Sequence, residues 1–449
     1  MKSVSELKAL RLRLPDCVER VERDGKVLLF NVLKPAWVVT DAGGAMLLSL
    51  CDGENSVGEL TEAYLAAGAK APERQVLQFF AMASDAGLFD VPQASPVSEV
   101  RQRLSVLQLS ISRGCNLNCR YCYATDRREH GRRPLSLDQY RQLVDDVHNI
   151  SPDITFTLTG GEPLLNRDCL DIGRYIAGRG HSVDLLTNGT LITEANIDSI
   201  ASIFYRVTIS IDGSNAHLHN RFRGAGAYER AERAIALLES RGVDYMLSMT
   251  VNRLNIDDGQ AMATKYGARL NFAPLFPAGN AKRGEDISIT GLEYYRALKE
   301  ANGVNPLGYC EAILNEAAFC RRCKCAIGGA ELSVSATGDV YPCQLLHYPE
   351  FLMGNVQQSP LSEIIATSPV VEQCARMTVD NIEGCRTCML RYLCGGACRA
   401  RDYHELGTTM RAGNFCAYER EAFIYGIFAL NSVNLLQKMT NDACHAMSI

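Results

Sequence analysis

Cys115, Cys119 and Cys122 stand in the run Ser112-Arg-Gly-Cys-Asn-Leu-Asn-Cys-Arg-Tyr-Cys-Tyr-Ala124, directly behind an alternating apolar segment at 107–111 that reads as a strand. Three thiolates at this CxxxCxxC spacing can hold three irons of a cubane iron–sulfur cluster. The fourth iron then lacks a protein ligand, and an open coordination position is the mark of a reactive site. Ordinary four-cysteine cluster runs bring a fourth cysteine close by, and none follows within this loop. The competing structural reading is a zinc knuckle.

The remaining cysteines extend the same theme. The chain has 449 residues and 18 cysteines, eleven of which lie between Cys310 and Cys416. The N-terminus lacks the basic-then-apolar plan of a signal peptide, and no apolar run approaches the roughly 20 residues needed to cross a bilayer. The stretch 422–430 reads as a core helix. The expected location is therefore the cytoplasm, with no membrane partner, and clustered cysteines there mean metal or redox chemistry rather than disulfides. A net charge of -5 gives no footprint for nucleic acid. The length allows two or three domains, here 1–95, 104–300 and 310–449.

The elements that must position the first cysteines are six strand–helix units. Strands are predicted over 107–112, 154–159, 182–187, 206–211, 244–251 and 268–275. Helices are predicted over 137–150, 168–178, 194–204, 227–241 and 256–266, each with apolar residues at helical spacing. Repeated βα units imply an α/β fold with a parallel sheet wrapped as a partial (β/α)6 barrel, whose reaction site lies at the C-terminal strand ends. The motifs fall there. Strand two ends in Thr159-Gly-Gly-Glu-Pro, strand three in Thr187-Asn-Gly-Thr and strand four in Ser210-Ile-Asp-Gly, with Arg223 a short way on. Paired glycines permit a close backbone approach, Glu162 offers acceptors for an ammonium group, and Ser210 with Asp212 suits ribose hydroxyls.

With these motifs in order behind CxxxCxxC, residues 104 to 290 resemble the radical S-adenosylmethionine superfamily. The resemblance implies a [4Fe-4S] cluster on Cys115, Cys119 and Cys122 whose free iron binds the methionine part of S-adenosylmethionine. It implies that Tyr121 packs by the adenine, that Gly160, Gly161 and Glu162 meet the ammonium, and that Asn188 belongs to the same site. Ser210 and Asp212 would take the ribose and Arg223 the carboxylate. Reductive cleavage would yield a 5′-deoxyadenosyl radical that abstracts a substrate hydrogen.

Further on, the pattern Cys325-x12-Gly338-x4-Cys343, Cys385-x2-Cys388-x5-Cys394-x3-Cys398 and Cys416 resembles the seven-cysteine SPASM extension. That resemblance implies two auxiliary [4Fe-4S] clusters, three clusters in all. Cys385, Cys388, Cys394 and Cys416 would hold the distal one; Cys325, Cys343 and Cys398 would hold the near one. The fourth ligand of the near cluster stays open among Cys320, Cys323, Cys310 and none, with Cys320 preferred. Sulfatase maturases of this architecture carry an aspartate base directly after the cysteine of the Gly-x4-Cys element; here that position is Gln344, which cannot take a proton. The other cysteines, 17, 51, 169, 374 and 444, read as small buried residues.

Residues 17–91 complete the reading. Strands over 26–32 and 36–40, a helix over 42–51, an Asp52-Gly turn, a helix opened by Ser56 with Glu59 at capping-box spacing, and a helix over 73–86 give a winged-helix-like unit without basic faces. It resembles the recognition domain of enzymes that mature ribosomally made peptides, where a leader peptide adds as an edge strand. The combined resemblance implies a peptide maturase fed by an electron donor such as flavodoxin or ferredoxin. A thioether cross-link is the first expectation and a carbon–carbon cross-link the second. The rivals are an iron–sulfur scaffold without turnover and a small-molecule enzyme of tetrapyrrole or quinone synthesis.

Overall fold

A computed structural model of the chain describes residues 3–91, 97, 99–126, 133–283, 287–301 and 321–430. Cys310, Cys320 and Cys444 lie outside the described residues.

The N-terminal part opens with a helix, Val4–Ala9, capped by Ser3, and with β1 (Arg11–Arg13). A three-stranded antiparallel meander follows: β2 (Val18–Arg23), β3 (Lys26–Asn31) and β4 (Ala36–Thr40). Asp24 and Gly25 join β2 to β3 with φ of 51° and 72°, the left-handed pair that a tight hairpin requires. After helix Ala42–Ser49 the chain does not turn at Asp52-Gly as the sequence predicts. It forms β5 (Asp52–Ser56), which pairs antiparallel with β1, because β1 offers an edge that local pattern could not reveal. Helices Val57–Ala66, with the expected Ser56/Glu59 capping box, and Glu73–Asp85 close the unit.

Strand β3 is buried on both faces. Val27 and Leu29, with Val38 of β4, pack inward against Leu47, Leu48, Val76 and Phe80 of the unit's own helices. Leu28, Phe30 and Trp37 face the other way and pack on Leu390, Leu393, Phe423, Ile424 and Ile427. The second set belongs to the segment around Cys388 and Cys394 and to the helix Cys416–Leu430, which contains the predicted core stretch 422–430. Among the described residues no helix is long and apolar enough to cross a membrane.

The main sheet carries the predicted six strands in sequence order, all parallel: β6 (Val106–Ser112), β7 (Thr155–Gly160), β8 (Ser182–Thr187), β9 (Arg206–Ser210), β10 (Tyr245–Val251) and β11 (Leu270–Pro274). Helices Leu137–Ile150, Cys169–Gly178, Ile197–Ile203, Ala227–Ser240 and Gly259–Tyr266 connect them. Tyr140, Leu143, Val144 and Val147 show the rule: i, i+3, i+4, i+7 spacing on a helix capped by Ser136, all four buried against the sheet. Two predicted helices start later than expected, one at Ile197 and one at Gly259 after a 3₁₀ turn over Ile256–Asp258.

The sheet does not end at β6. β12 (Glu331–Val334) pairs parallel with it, Glu331 opposite Val106, and β13 (Asp339–Tyr341) and β14 (Gly354–Asn355) add antiparallel beyond. The result is a nine-stranded, mostly parallel α/β sheet with β11 and β14 at its two ends. The second cysteine field is thus joined to the first by backbone hydrogen bonds.

Candidate active site

The cysteine loop leaves β6 and is held by its neighbours' backbones. Gly161 N–H donates to the Ser112 carbonyl (2.8 Å) and Glu162 N–H to the Gly114 carbonyl (2.9 Å). Gly160 has φ of +138°, and a Cβ there would overlap the Ser112 carbonyl; one on Gly161 would overlap that of Gly114. The paired glycines therefore serve a close approach between the ends of β6 and β7. On the other side, Asn280 after β11 donates its N–H to the Cys122 carbonyl (3.0 Å) and its Nδ2 to the Cys119 carbonyl (3.0 Å). Sequence reasoning missed Asn280, since one polar residue in a loop carries no signal.

Cys115 is exposed, and Cys119 and Cys122 are half-buried. Asn188 at the end of β8 points its Nδ2 at Cys115 Sγ (3.8 Å) and at Asn116 Oδ1 (2.9 Å), and Thr190 in turn donates to Asn188 Oδ1. Glu162 is wholly buried. Its carboxylate accepts from Thr187 Oγ1 (2.7 Å), Asn188 N–H (2.8 Å) and Leu164 N–H (3.1 Å), which ties the β7 end to the β8 end. Burial nonetheless pushes its carboxyl above the usual range, against those donors.

Asp212 lies beneath the cleft rather than on it. One oxygen accepts from Thr250 N–H (2.8 Å), and the other from the Tyr121 hydroxyl and Arg223 Nε, an ion pair shut off from solvent. Tyr121 packs on Phe222 (5.9 Å between ring centroids), with the Arg223 guanidinium 5.7 Å from its ring centroid. The three residues predicted for one ligand are therefore joined to each other. Asp212, read from the sequence as a ribose acceptor, has its carboxylate engaged by Tyr121, Arg223 and Thr250. His219 adds to the set: its Nδ1 accepts the Asp212 N–H (3.1 Å), and burial pushes its pKa down to about 4, so it stands neutral. Ser210 sits half-exposed at the end of β9.

The second field divides into two sets. Cys385, Cys388, Cys394 and Cys416 line one cavity together with Arg391 and Arg399. Cys325, Cys343 and Cys398 bear on one another electrostatically, as does Glu331 on Cys325 and Cys343. Glu331, which the sequence did not single out, accepts from Gln108 Nε2 of β6 (2.8 Å), and burial pushes its carboxyl up to about 6. Arg321 Nη1 donates to Cys323 Sγ (3.2 Å). Of the cysteines read as small buried residues, Cys51, Cys169 and Cys374 are buried; Cys17 is half-exposed and donates to Asn31 Oδ1 (3.4 Å).

The donor sets, thiols in threes and fours, have the chemistry that iron–sulfur clusters take. Among the described residues no three Cys, His, Asp or Glu side chains converge as the ligands of one metal ion would. A cubane instead takes each thiolate on a separate iron. Burial pushes Cys119, Cys385 and Cys398 each up to about 11, which makes them poor thiolates when no cation is near. Iron, if held there, would supply the positive charge needed to deprotonate them.

A cysteine loop stands at the C-terminal edge of a parallel sheet, and a second cysteine field is built onto the same sheet. Comparison with known proteins supplies the class. Residues 109–264 match the Radical SAM superfamily, and residues 325–389 match the SPASM iron-sulfur cluster-binding domain. An AdoMet-dependent heme synthase of Oleidesulfovibrio alaskensis is 30% identical over 75% of this chain and 93% of its own length. The mycofactocin maturase MftC of Mycolicibacterium smegmatis is 29% identical over 56% of this chain and 67% of its own. Among solved structures, native anSMEcpe with bound AdoMet superposes with a TM-score of 0.58 at 22% identity, over 74% of this chain and 99% of that one. Streptococcus suis SuiB bound to its precursor peptide SuiA gives 0.54 at 13% identity, over 90% of this chain and 99% of that one. The chain belongs to the radical SAM superfamily and carries a SPASM iron–sulfur extension. It is an enzyme whose family uses S-adenosylmethionine and iron–sulfur clusters.

Proposed function

We propose that the protein is a maturase of a ribosomally made peptide, and that it forms a cross-link within that peptide, a thioether first among the candidates. The observation that carries this reading is the N-terminal unit of a three-stranded meander, a two-stranded β1–β5 pair and four helices, packed on the C-terminal helix through β3 and Trp37. The likeness to SuiB supports it in fold: 90% of this chain is more than residues 96–449 alone can supply. β2 and β4 are the outer strands of the meander, where an extended leader peptide can add. Met46, Leu50 and Met82 of the same unit are exposed apolar side chains suited to a leader's apolar positions.

In this reading Cys115, Cys119 and Cys122 hold the first cluster and S-adenosylmethionine binds beside it. When bound, that pair supplies reductive cleavage to a 5′-deoxyadenosyl radical that takes hydrogen from the substrate. The chain's own residues do the positioning. Asn188 orients Cys115, and Gly160 and Gly161 lock the loop. Glu162 serves the ammonium side of the cofactor and Ser210 the ribose side. Arg223, held at Nε by Asp212, offers its terminal nitrogens to the carboxylate, while Tyr121, steadied by Asp212, walls the adenine side. Cys385, Cys388, Cys394 and Cys416 hold one auxiliary cluster; Cys325, Cys343 and Cys398 hold the other, with Cys320 as its fourth ligand. An external electron donor of flavodoxin or ferredoxin type supplies the reductant.

The test is anaerobic co-expression with a short peptide encoded beside the gene, followed by mass spectrometry. The expected product is lighter by two hydrogens, and its cysteine no longer reacts with iodoacetamide. A product that still alkylates points to the carbon–carbon bond, and an unmodified peptide sinks the maturase reading. A tetrapyrrole-directed activity is the second reading, favoured by the heme synthase likeness. Against it, that relative is matched nearly end to end and still leaves a quarter of this chain over. Turnover of a porphyrin with no peptide present would decide for it.

A further inference from the structure

Arg399 is the largest wholly buried side chain among the described residues, 1% exposed. Its terminal nitrogens are engaged: Nη2 pairs with Asp402, and Nη1 donates to the carbonyls of Thr409 (3.2 Å) and Arg411 (3.4 Å). Its Nε has no hydrogen-bond partner, although it is buried. A buried, unmade donor is unfavourable, so an acceptor is to be sought on that side. Arg399 forms part of the wall of the cavity lined by Cys385, Cys388, Cys394 and Cys416.

The backbone explains how the arginine comes to stand between the two cysteine sets. Gly395, Gly396 and Ala397 all have left-handed φ, at 69°, 89° and 55°, and Ala397 is one of two non-glycine residues in that region among the described residues. This turn sends Cys394 to one set and Cys398 to the other, and Arg399 follows directly. Its charge reaches both, bearing on Cys325 of the near set and on Cys385 and Cys416 of the distal set.

We propose that Arg399 is a redox-tuning residue shared by the two auxiliary clusters, donating its Nε–H to sulfur in the Cys385/Cys388/Cys394/Cys416 cavity and lending its charge to both sets. The proposal rests on reading both sets as iron–sulfur ligands. Hydrogen bonds to cluster sulfur and nearby positive charge raise a cluster's reduction potential. Arg399 thereby keeps both groups able to take up an electron. It is a positioning residue and touches no substrate.

The experiment uses the full-length holoprotein, purified and reconstituted without oxygen, with iron and sulfide counted first. In Arg399→Gln, potentiometric EPR should show both auxiliary midpoints moved to lower potential, the distal one by at least a tenfold change in reduced-to-oxidised ratio, about 59 mV for one electron. Arg399→Lys, which keeps the charge, should recover most of the shift. Unmoved midpoints at wild-type iron content overturn the proposal. If Arg399→Gln loses distal iron, a second measurement decides. Guanidino-15N arginine is incorporated into protein carrying Arg391→Lys, and pulsed EPR of the reduced distal cluster should detect a 15N coupling. Its absence overturns the proposal. An iron-free wild type overturns the metal reading and this inference with it, and the metal analysis tells that failure apart.

Discussion

Asp212 carries more of the site than any other side chain, because its carboxylate fixes Tyr121 and Arg223 while its N–H is fixed by His219. The last bond requires a neutral imidazole, and this makes the site pH-dependent. The pKa of His219 is about 4 in the folded protein against 6.5 unfolded, so the unfolded state binds more protons between those values. Its contribution is complete above about pH 6.5 and is lost as pH falls toward 4, at most about 3 kcal/mol. The melting temperature of anaerobic holoprotein should drop over pH 6.5–4.5, and His219→Gln should flatten that slope relative to wild type. Glycine makes a second case. Gly161→Ala forces a Cβ onto the Gly114 carbonyl and should cost about 1–3 kcal/mol, displacing the cysteine loop. S-adenosylmethionine cleavage should fall at least tenfold while the iron of the auxiliary sets is kept; unchanged cleavage would show that the loop tolerates the shift.

Among elements, β3 is the most heavily used. Its alternating side chains serve two cores at once, one with its own helices and one with helix Cys416–Leu430. Trp37→Ala should therefore cost about 3–5 kcal/mol. Hydrogen exchange should rise in β3, β4 and helix Cys416–Leu430 together, and a rise confined to the N-terminal unit would refute the shared core. The run Lys26-Val-Leu-Leu-Phe shows what the sequence could and could not tell. A continuous apolar strand announces burial on both faces, yet nothing local names the second partner, which lies hundreds of residues away. The six parallel strands were legible because each pairs with its neighbour in sequence and each helix repeats a plain apolar stripe. β1, β5 and β12 were not, since each is short and defined by a distant edge. Within the site, the cysteines and strand-end motifs were legible from spacing. The bonds among Asp212, Tyr121 and Arg223 were not, because spacing reports which residues meet a cleft and not which meet one another. β2 was not read either, although the Asp24-Gly25 pair that turns it into β3 is a hairpin signal.

At the scale of the molecule, the N-terminal unit cannot be removed cleanly. A chain lacking residues 1–95 would expose Leu393, Phe423, Ile424 and Ile427 beside Cys388 and Cys394. On the proposed three-cluster reading the truncated protein should lose about a third of its iron, and it should melt at lower temperature. Full iron and an unshifted melt would show that the interface is dispensable. A leader-binding defect is better sought by changing the exposed Met46 and Met82, which leaves that interface whole.

The pairing of β12 with β6 has a consequence for the nascent chain. β6 emerges first of the main sheet, but its outer neighbour is translated only after the other five parallel strands and their helices. At the usual pace of synthesis, a raw hydrogen-bonding edge next to the cysteine loop waits on the order of ten seconds or more for its cover. A holdase that covers this edge during synthesis should raise the yield of folded chain.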